Sequence, residues 1–214
     1  NSCGRKHVSY AACGNRHCPT CSGADREKWL IKRRLEMLPV PYFHLVFTIP
    51  KCLRPLFRKH QKVCYGLLMK AAAKSVTEMA ADPRYVGGNI AVMAVLHTWT
   101  RAMLFHPHVH CLVPAGGLSK GGVWHSAQNP KVLLPVTALS VVFRGKLMAM
   151  LREALPEAFI PAQAWDQKWV VNSKKAKPNS DKVLEYLARY VNRVAVTNSN
   201  IMAIDEEGVN LHHS

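Results

Sequence analysis

The chain has 214 residues, 49% of them hydrophobic, enough to bury a core for one catalytic domain plus a small appendage, so a disordered tail is excluded. Lysine and arginine outnumber aspartate and glutamate 29 to 13, a formal charge of +16 that points to a polyanionic partner such as nucleic acid. No apolar run approaches the roughly 20 residues of a membrane-spanning helix, and the N-terminus lacks the charged-then-apolar layout of a secretory signal, so no membrane association and a cytoplasmic location are expected.

Residues 1–23 are dense in Cys, His, Gly and Asn without apolar periodicity, so a bound metal rather than a hydrophobic core is expected to hold them. Four of the seven cysteines fall within the first 21 residues. Cys18-Pro19-Thr20-Cys21 forms a CxxC knuckle, and Cys3 and Cys13 can complete a tetrahedral thiolate site for Zn²⁺, with His17 the rival fourth ligand. The other three cysteines lie singly in apolar segments, which fits reduced thiols better than disulfides.

From Asp25 to Met37 the pattern is helical and basic until Pro39 and Pro41 end it, a helix expected to link two modules. YFHLVFTIP at 42–50 reads as a buried strand, and Leu56 to Ala81 as a helix closed by Asp82-Pro83. Two apolar runs, 89–98 and 103–113, predict an antiparallel hairpin; Gly116-Gly117 and Gly121-Gly122 mark turns around a short strand at Val123 to His125. Residues 136–155 read as an amphipathic helix and Lys168 to Val171 as a strand. The basic stretch SKKAKPNSD at 173–181 is expected to be a loop leading into a helix from Lys182 to about Arg193. Helices and hairpin strands without a βαβ rhythm predict an α+β fold on an antiparallel sheet, with helices on one face.

HPHVH at 106–110 places His106, His108 and His110 two apart on one strand face, where imidazoles can share a cation. A hairpin turning near residues 102 and 103 puts His97 opposite His108, making it the first candidate for a third ligand, with His106 the fallback. Three hydrogen-bonded histidines without a metal are the alternative. Imidazole ligands suit zinc, manganese, nickel or cobalt.

Together these blocks carry a resemblance. His108-Val109-His110 resembles the His-hydrophobic-His motif of the HUH endonucleases, and LHTWTRAMLFHPHVHCLVPAGG at 96–117 looks like the IS91-type transposases, including the ISCR elements. CGNRHCPTC at 13–21, LPVPYFHLVFTIP at 38–50 and YLARYVNRVAVTNSNI at 186–201 extend it over nearly the whole chain, in the same order. The resemblance implies an HUH-like antiparallel sheet with helices, a small N-terminal zinc ribbon, and Mg²⁺ or Mn²⁺ at the catalytic histidines. It divides the chain into a zinc-binding module and linker helix, 1–37, and a truncated catalytic domain, 38–214.

Tyr186 and Tyr190 are four apart in an amphipathic pattern and share a helix face, a spacing that by itself more often means core packing. In the resembled transposases a YxxxY pair supplies nucleophiles, and both positions are kept here. That implies rolling-circle transposition: nicking and strand transfer of single-stranded DNA through a covalent 5′-phosphotyrosine. Lys174, Lys175, Lys177, Arg189 and Arg193 near this helix are candidate phosphate contacts, as is Arg16 beside Arg5 and Lys6 in a ribbon that docks hairpin transposon ends; a solvated basic face is the alternative. In the family the ribbon's first half is usually CxxC, so Cys3 can be the second member of a pair whose first precedes Asn1, leaving Cys13 uncertain. The rivals are a replication initiator or relaxase, a DNA-binding remnant without activity, and hydrolysis by activated water. The 13 scattered acidic residues do not form the carboxylate cluster of a two-metal nuclease.

Overall fold

A computed structural model of the chain describes residues 19–100, 102, 104–176, 184, 185, 187, 188, 201–205 and 208–211. Along the chain run α1 (Pro19–Leu35), β1 (Tyr42–Thr48), a 3₁₀ turn (Lys51–Leu53), α2 (Arg54–Lys59), α3 (Gln61–Ala80), β2 (Met93–Trp99), β3 (Phe105–Pro114), β4 (Gly116–Leu118) and β5 (Trp124–Ser126). α4 (Val136–Ala154), the single turn α5 (Gln163–Asp166), β6 (Val171–Lys175), β7 (Ile201–Asp205) and β8 (Gly208–Leu211) follow. The main sheet has the order β2-β3-β1-β6, and every neighbouring pair is antiparallel, so the fold is α+β as expected.

Side-chain alternation splits this sheet into two unlike faces. On one, Phe43, Leu45 and Phe47 of β1 join Val109, Cys111 and Val113 of β3 in the principal core. Two helices cover it. α4 buries Leu139, Phe143, Leu147 and Leu151, one residue per turn, and α3 contributes Leu68, Val76 and the small Ala71 and Ala72. Phe47 meets Phe143 edge-on at 4.9 Å, and Phe143 meets Trp169 at 5.4 Å. Ser140 Oγ donates to the Trp169 carbonyl at 2.7 Å, fixing the segment that leads into β6. Phe47→Ala is therefore expected to cost about 3–5 kcal/mol, read as a lower denaturation midpoint in urea, because the hole opens where sheet and helix interlock.

The opposite face carries the histidines, and part of it is also covered. Tyr42, Val95 and Leu112 pack with Leu30 of α1 and with the helical residues Leu184, Leu187 and Ala188. Arg34 Nη2 donates to Glu185 Oε1 at 3.2 Å, tying α1 to that segment. Helices thus lie on both faces rather than one, because half of the second face is apolar.

Several boundaries differ from the sequence reading: β2 starts at Met93 rather than 89, Gly116-Gly117 lies in strand β4 rather than a turn, and three further differences have a physical reason. α1 begins at Pro19, not Asp25; proline is tolerated in a first helical turn because it lacks only a donor that has no partner there. The single helix expected over 56–81 is α2 and α3, parted at His60 (φ −120°, ψ 48°) without a glycine or proline to signal the break. The last strand of the sheet is Val171–Lys175, not 168–171, since pairing with β1 runs from Phe47↔Val171 to Phe43↔Lys175. Lys174 and Lys175 are strand residues at a sheet edge, where charge discourages further pairing.

Candidate metal centre

β2 and β3 pair as a turn near residues 102 and 103 predicts, with His97 opposite His108 and Val95 opposite His110. Pro107 cannot donate to the ladder, and the register shifts between His97 and Trp99, so His106 and Pro107 together oppose Thr98.

His97, His108 and His110 each offer one ring nitrogen, and the three lie within 4.8 Å of one another. Ring centroids are 4.7 Å apart for His97 and His108, 4.9 Å for His108 and His110, and 6.1 Å for His97 and His110. His108 and His110 are buried while His97 is half-buried, so the cluster opens toward the β2 edge. Three neutral imidazoles in this arrangement fit a divalent cation that keeps further positions for other ligands. His108 Nδ1 donates to the His106 carbonyl at 2.6 Å, which leaves the lone pair on Nε2, the nitrogen 3.0 Å from His97 Nδ1.

His106, the fallback ligand, is turned to another task. Its Nδ1 accepts from Arg54 Nη2 of α2 at 2.7 Å, and it stands outside the group of three. Neither Arg54 nor His44 was identified from the sequence. His44 Nε2 is 2.9 Å from His110 Nδ1, with the rings edge to edge, 9° from parallel and centroids 5.1 Å apart. The signal for it lay in YFHLVFT, where one imidazole interrupts an apolar run on the face that also holds His108 and His110.

Burial lowers the pKa of His44, His106 and His108, and like charges add to it: Lys174 beside His44, and His108 and Arg54 beside His106. His110 is pushed down to about 3, by burial first and then by His108, His44 and His97. These rings stay neutral in the folded protein below the 6.5 at which they protonate when exposed. The unfolded chain then binds more protons, so stability is complete above pH 6.5 and declines as pH falls below it, toward the depressed folded values. Acid titration of the metal-free protein, followed by denaturant midpoint, is expected to show this loss setting in below pH 6.5, with the His110 contribution continuing down to about 3.

Lys174 is the cross-strand partner of His44, and Lys175 follows it along the sheet edge. Tyr186, Tyr190, Lys177, Arg189, Arg193, Arg5, Lys6, Arg16, Cys3, Cys13, His17 and Cys18 lie outside the described residues, and Cys21 is described only as backbone within α1. Residues on either side of Tyr186 are placed: Leu184 and Leu187 pack on Val95 and Leu112, each two residues along its strand from His97 or His110. Cys52, Cys64 and Cys111 are free thiols; burial pushes Cys64 up to about 11 and Cys111 to about 12, which leaves neither as a nucleophile. Among the described residues no helix is long and apolar enough to cross a membrane.

Comparison with known proteins gives consistent matches. The family model described as "Putative transposase" matches residues 91–214, and an IS91 "Transposase zinc-binding domain" matches residues 1–49. "Putative transposase y4qJ" of Sinorhizobium fredii (strain NBRC 101917 / NGR234) is 36% identical over 98% of this chain and 57% of its own length. The transposase for insertion sequence element IS801 of Pseudomonas savastanoi pv. phaseolicola is 30% identical over 91% of this chain and 50% of its own. The chain thus spans about half the length of the curated relatives it matches. Among solved structures, the metal-bound conjugative relaxase TrwC in complex with oriT DNA aligns over 68% of this chain and 53% of that one, with 14% identity and a TM-score of 0.45.

Proposed function

Because the chain belongs to the IS91-type transposases, we propose that it carries the nicking and strand-transfer centre of a rolling-circle transposase, acting on single-stranded DNA and hairpin transposon ends. The observation that carries this reading is the group His97, His108 and His110 on the sheet face against which Leu184, Leu187 and Ala188 pack. Residues 1–37 form the zinc-binding module with its linker helix and 38–214 the catalytic part, although α1 also packs on the sheet through Leu30.

His97, His108 and His110 hold the metal, Mg²⁺ or Mn²⁺ in this reading. A divalent ion there supplies positive charge that neutralises the scissile phosphate. The phenolic oxygen of Tyr186 or Tyr190 attacks phosphorus, the bond to the 3′ oxygen breaks, and the displaced strand end leaves as a 3′-hydroxyl carrying a proton. The 5′-phosphotyrosine conserves the bond energy, so a second 3′-hydroxyl can reverse the step and join a new strand. Tyr186 neighbours Leu187, which supports a place for the pair beside the histidines. Lys174, Lys175, Lys177, Arg189 and Arg193 hold the phosphate backbone. Cys3, Cys13, Cys18 and Cys21, with His17 the rival, hold Zn²⁺ in the module that docks the transposon end beside Arg16.

Metal removal tests the reading. Cleavage of a labelled single strand carrying a transposon end is expected to stop in EDTA and return with Mn²⁺ or Mg²⁺. Undiminished cleavage after thorough chelation contradicts it.

A further inference from the structure

We propose that His44 is a positioning residue for the metal: its Nε2 accepts a hydrogen bond from Nδ1–H of His110 and so holds the lone pair of His110 on Nε2, toward His97 and His108. This rests on the reading of His97, His108 and His110 as a metal site, and extends it by one residue from a different strand.

A pair of neutral imidazoles can share one proton in two ways over the 2.9 Å between His44 Nε2 and His110 Nδ1. If His44 donates, His110 accepts at Nδ1, and its own proton must sit on Nε2. Nε2 of His110 is buried, and a proton there occupies the lone pair a metal requires. If His110 donates, its Nε2 is a ligand. A cation bonded to His110 therefore selects the second arrangement, and His44 is the acceptor that makes it possible.

The surroundings favour His44 in that role. It is half-buried on β1, paired with Leu112 on one side and Lys174 on the other. A neutral imidazole there keeps one acceptor nitrogen, and Nε2 is the one that faces His110. The two rings are 9° from parallel with centroids 5.1 Å apart, so they meet edge to edge with Nδ1 of His110 in line with Nε2 of His44, the geometry of an in-plane hydrogen bond. A parallel device serves His108, whose Nδ1–H is held by the His106 carbonyl. The two buried ligands thus have their tautomers set by different means, one by backbone and one by a side chain that can be replaced.

The test uses the full chain, stripped of metal and titrated with Mn²⁺ while the signal of the free ion is followed by electron paramagnetic resonance. His44→Leu fills the space without an acceptor; His44→Gln restores an acceptor at nearly the same reach. Loss of such an outer partner typically costs about 10–100-fold in metal affinity, so His44→Leu is expected to bind Mn²⁺ that much more weakly and His44→Gln within a few-fold of wild type. Equal weakening in both variants makes the effect one of packing and overturns the proposal, as does unchanged binding in His44→Leu. If the wild type binds no Mn²⁺ at the histidines, the metal reading itself fails, and the proposal with it. Long-range nitrogen NMR of wild-type His110 decides without any variant: protonation at Nδ1 in the Mg²⁺-loaded protein is expected, and protonation at Nε2 overturns the proposal.

Discussion

His108→Ala is expected to lower nicking by about 10³-fold or more and to abolish measurable Mn²⁺ binding, while far-ultraviolet circular dichroism stays native. His108 is central to the group: its ring meets His97 at 4.7 Å and His110 at 4.9 Å, and its Nδ1 is already committed to the His106 carbonyl. Removing it takes away one of the three proposed ligands and leaves two whose ring centroids are 6.1 Å apart. Several kcal/mol of charge stabilisation at the phosphate are then expected to be lost, and each 1.36 kcal/mol is a factor of ten in rate. The fold is expected to survive, since the principal core lies on the other face of the sheet. His106→Ala is the internal comparison. Its ring binds Arg54 instead of joining the group, so Mn²⁺ affinity is expected to remain within about tenfold of wild type, the lower end of what an outer neighbour contributes. An alanine at 106 that removes metal as completely as one at 108 contradicts this division.

What the sequence discloses about this centre depends on how far apart the partners lie along the chain. His97 and His108 meet across one hairpin, and a midpoint assumption suffices to pair them because a short connection sets the register of both arms. His44 and His110 are 66 positions apart and Arg54 and His106 are 52 apart; their contacts require knowing that β1 adds to β3 and that α2 reaches the start of β3. No local pattern carries that information. β6 escaped for a related reason. VNSKK has weak strand preference, and its conformation comes from pairing with β1 rather than from its own residues. The apolar stripe that predicted one helix over 56–81 continues through α2 and α3 alike, and the turn at His60 has no proline or glycine to announce it. By contrast, the alternation in β1 and the four-residue spacing in α4 are local, and both elements fall within two residues of expectation.

The second large effect concerns the tyrosines. Replacing Tyr186 and Tyr190 together with phenylalanine removes both phenolic oxygens and preserves the rings, so packing of the Leu184 and Leu187 segment is expected to persist. Loss of a covalent nucleophile leaves only positioning and charge stabilisation, and nicking is expected to fall by at least about 10⁴-fold. Mn²⁺ affinity is expected to be unchanged, the reverse of the His108→Ala pattern, because the phenols are not among the proposed ligands. Each single substitution leaves one phenolic oxygen, and unequal losses in Tyr186→Phe and Tyr190→Phe rank the two. If both singles retain nicking and only the double is inactive, either phenol can begin the reaction.

The most direct measurement follows the two halves of a cleaved strand. Single-stranded DNA carrying one label on each side of the nick is incubated with wild-type protein and Mn²⁺, then separated under denaturing conditions. The label on the 3′ side is expected to migrate with the protein, linked through its 5′ phosphate, while the other leaves as a free strand ending in a 3′-hydroxyl, and the double tyrosine variant is expected to form no such adduct. Efficient cleavage that releases both halves free of protein would identify water as the nucleophile and contradict the tyrosine mechanism.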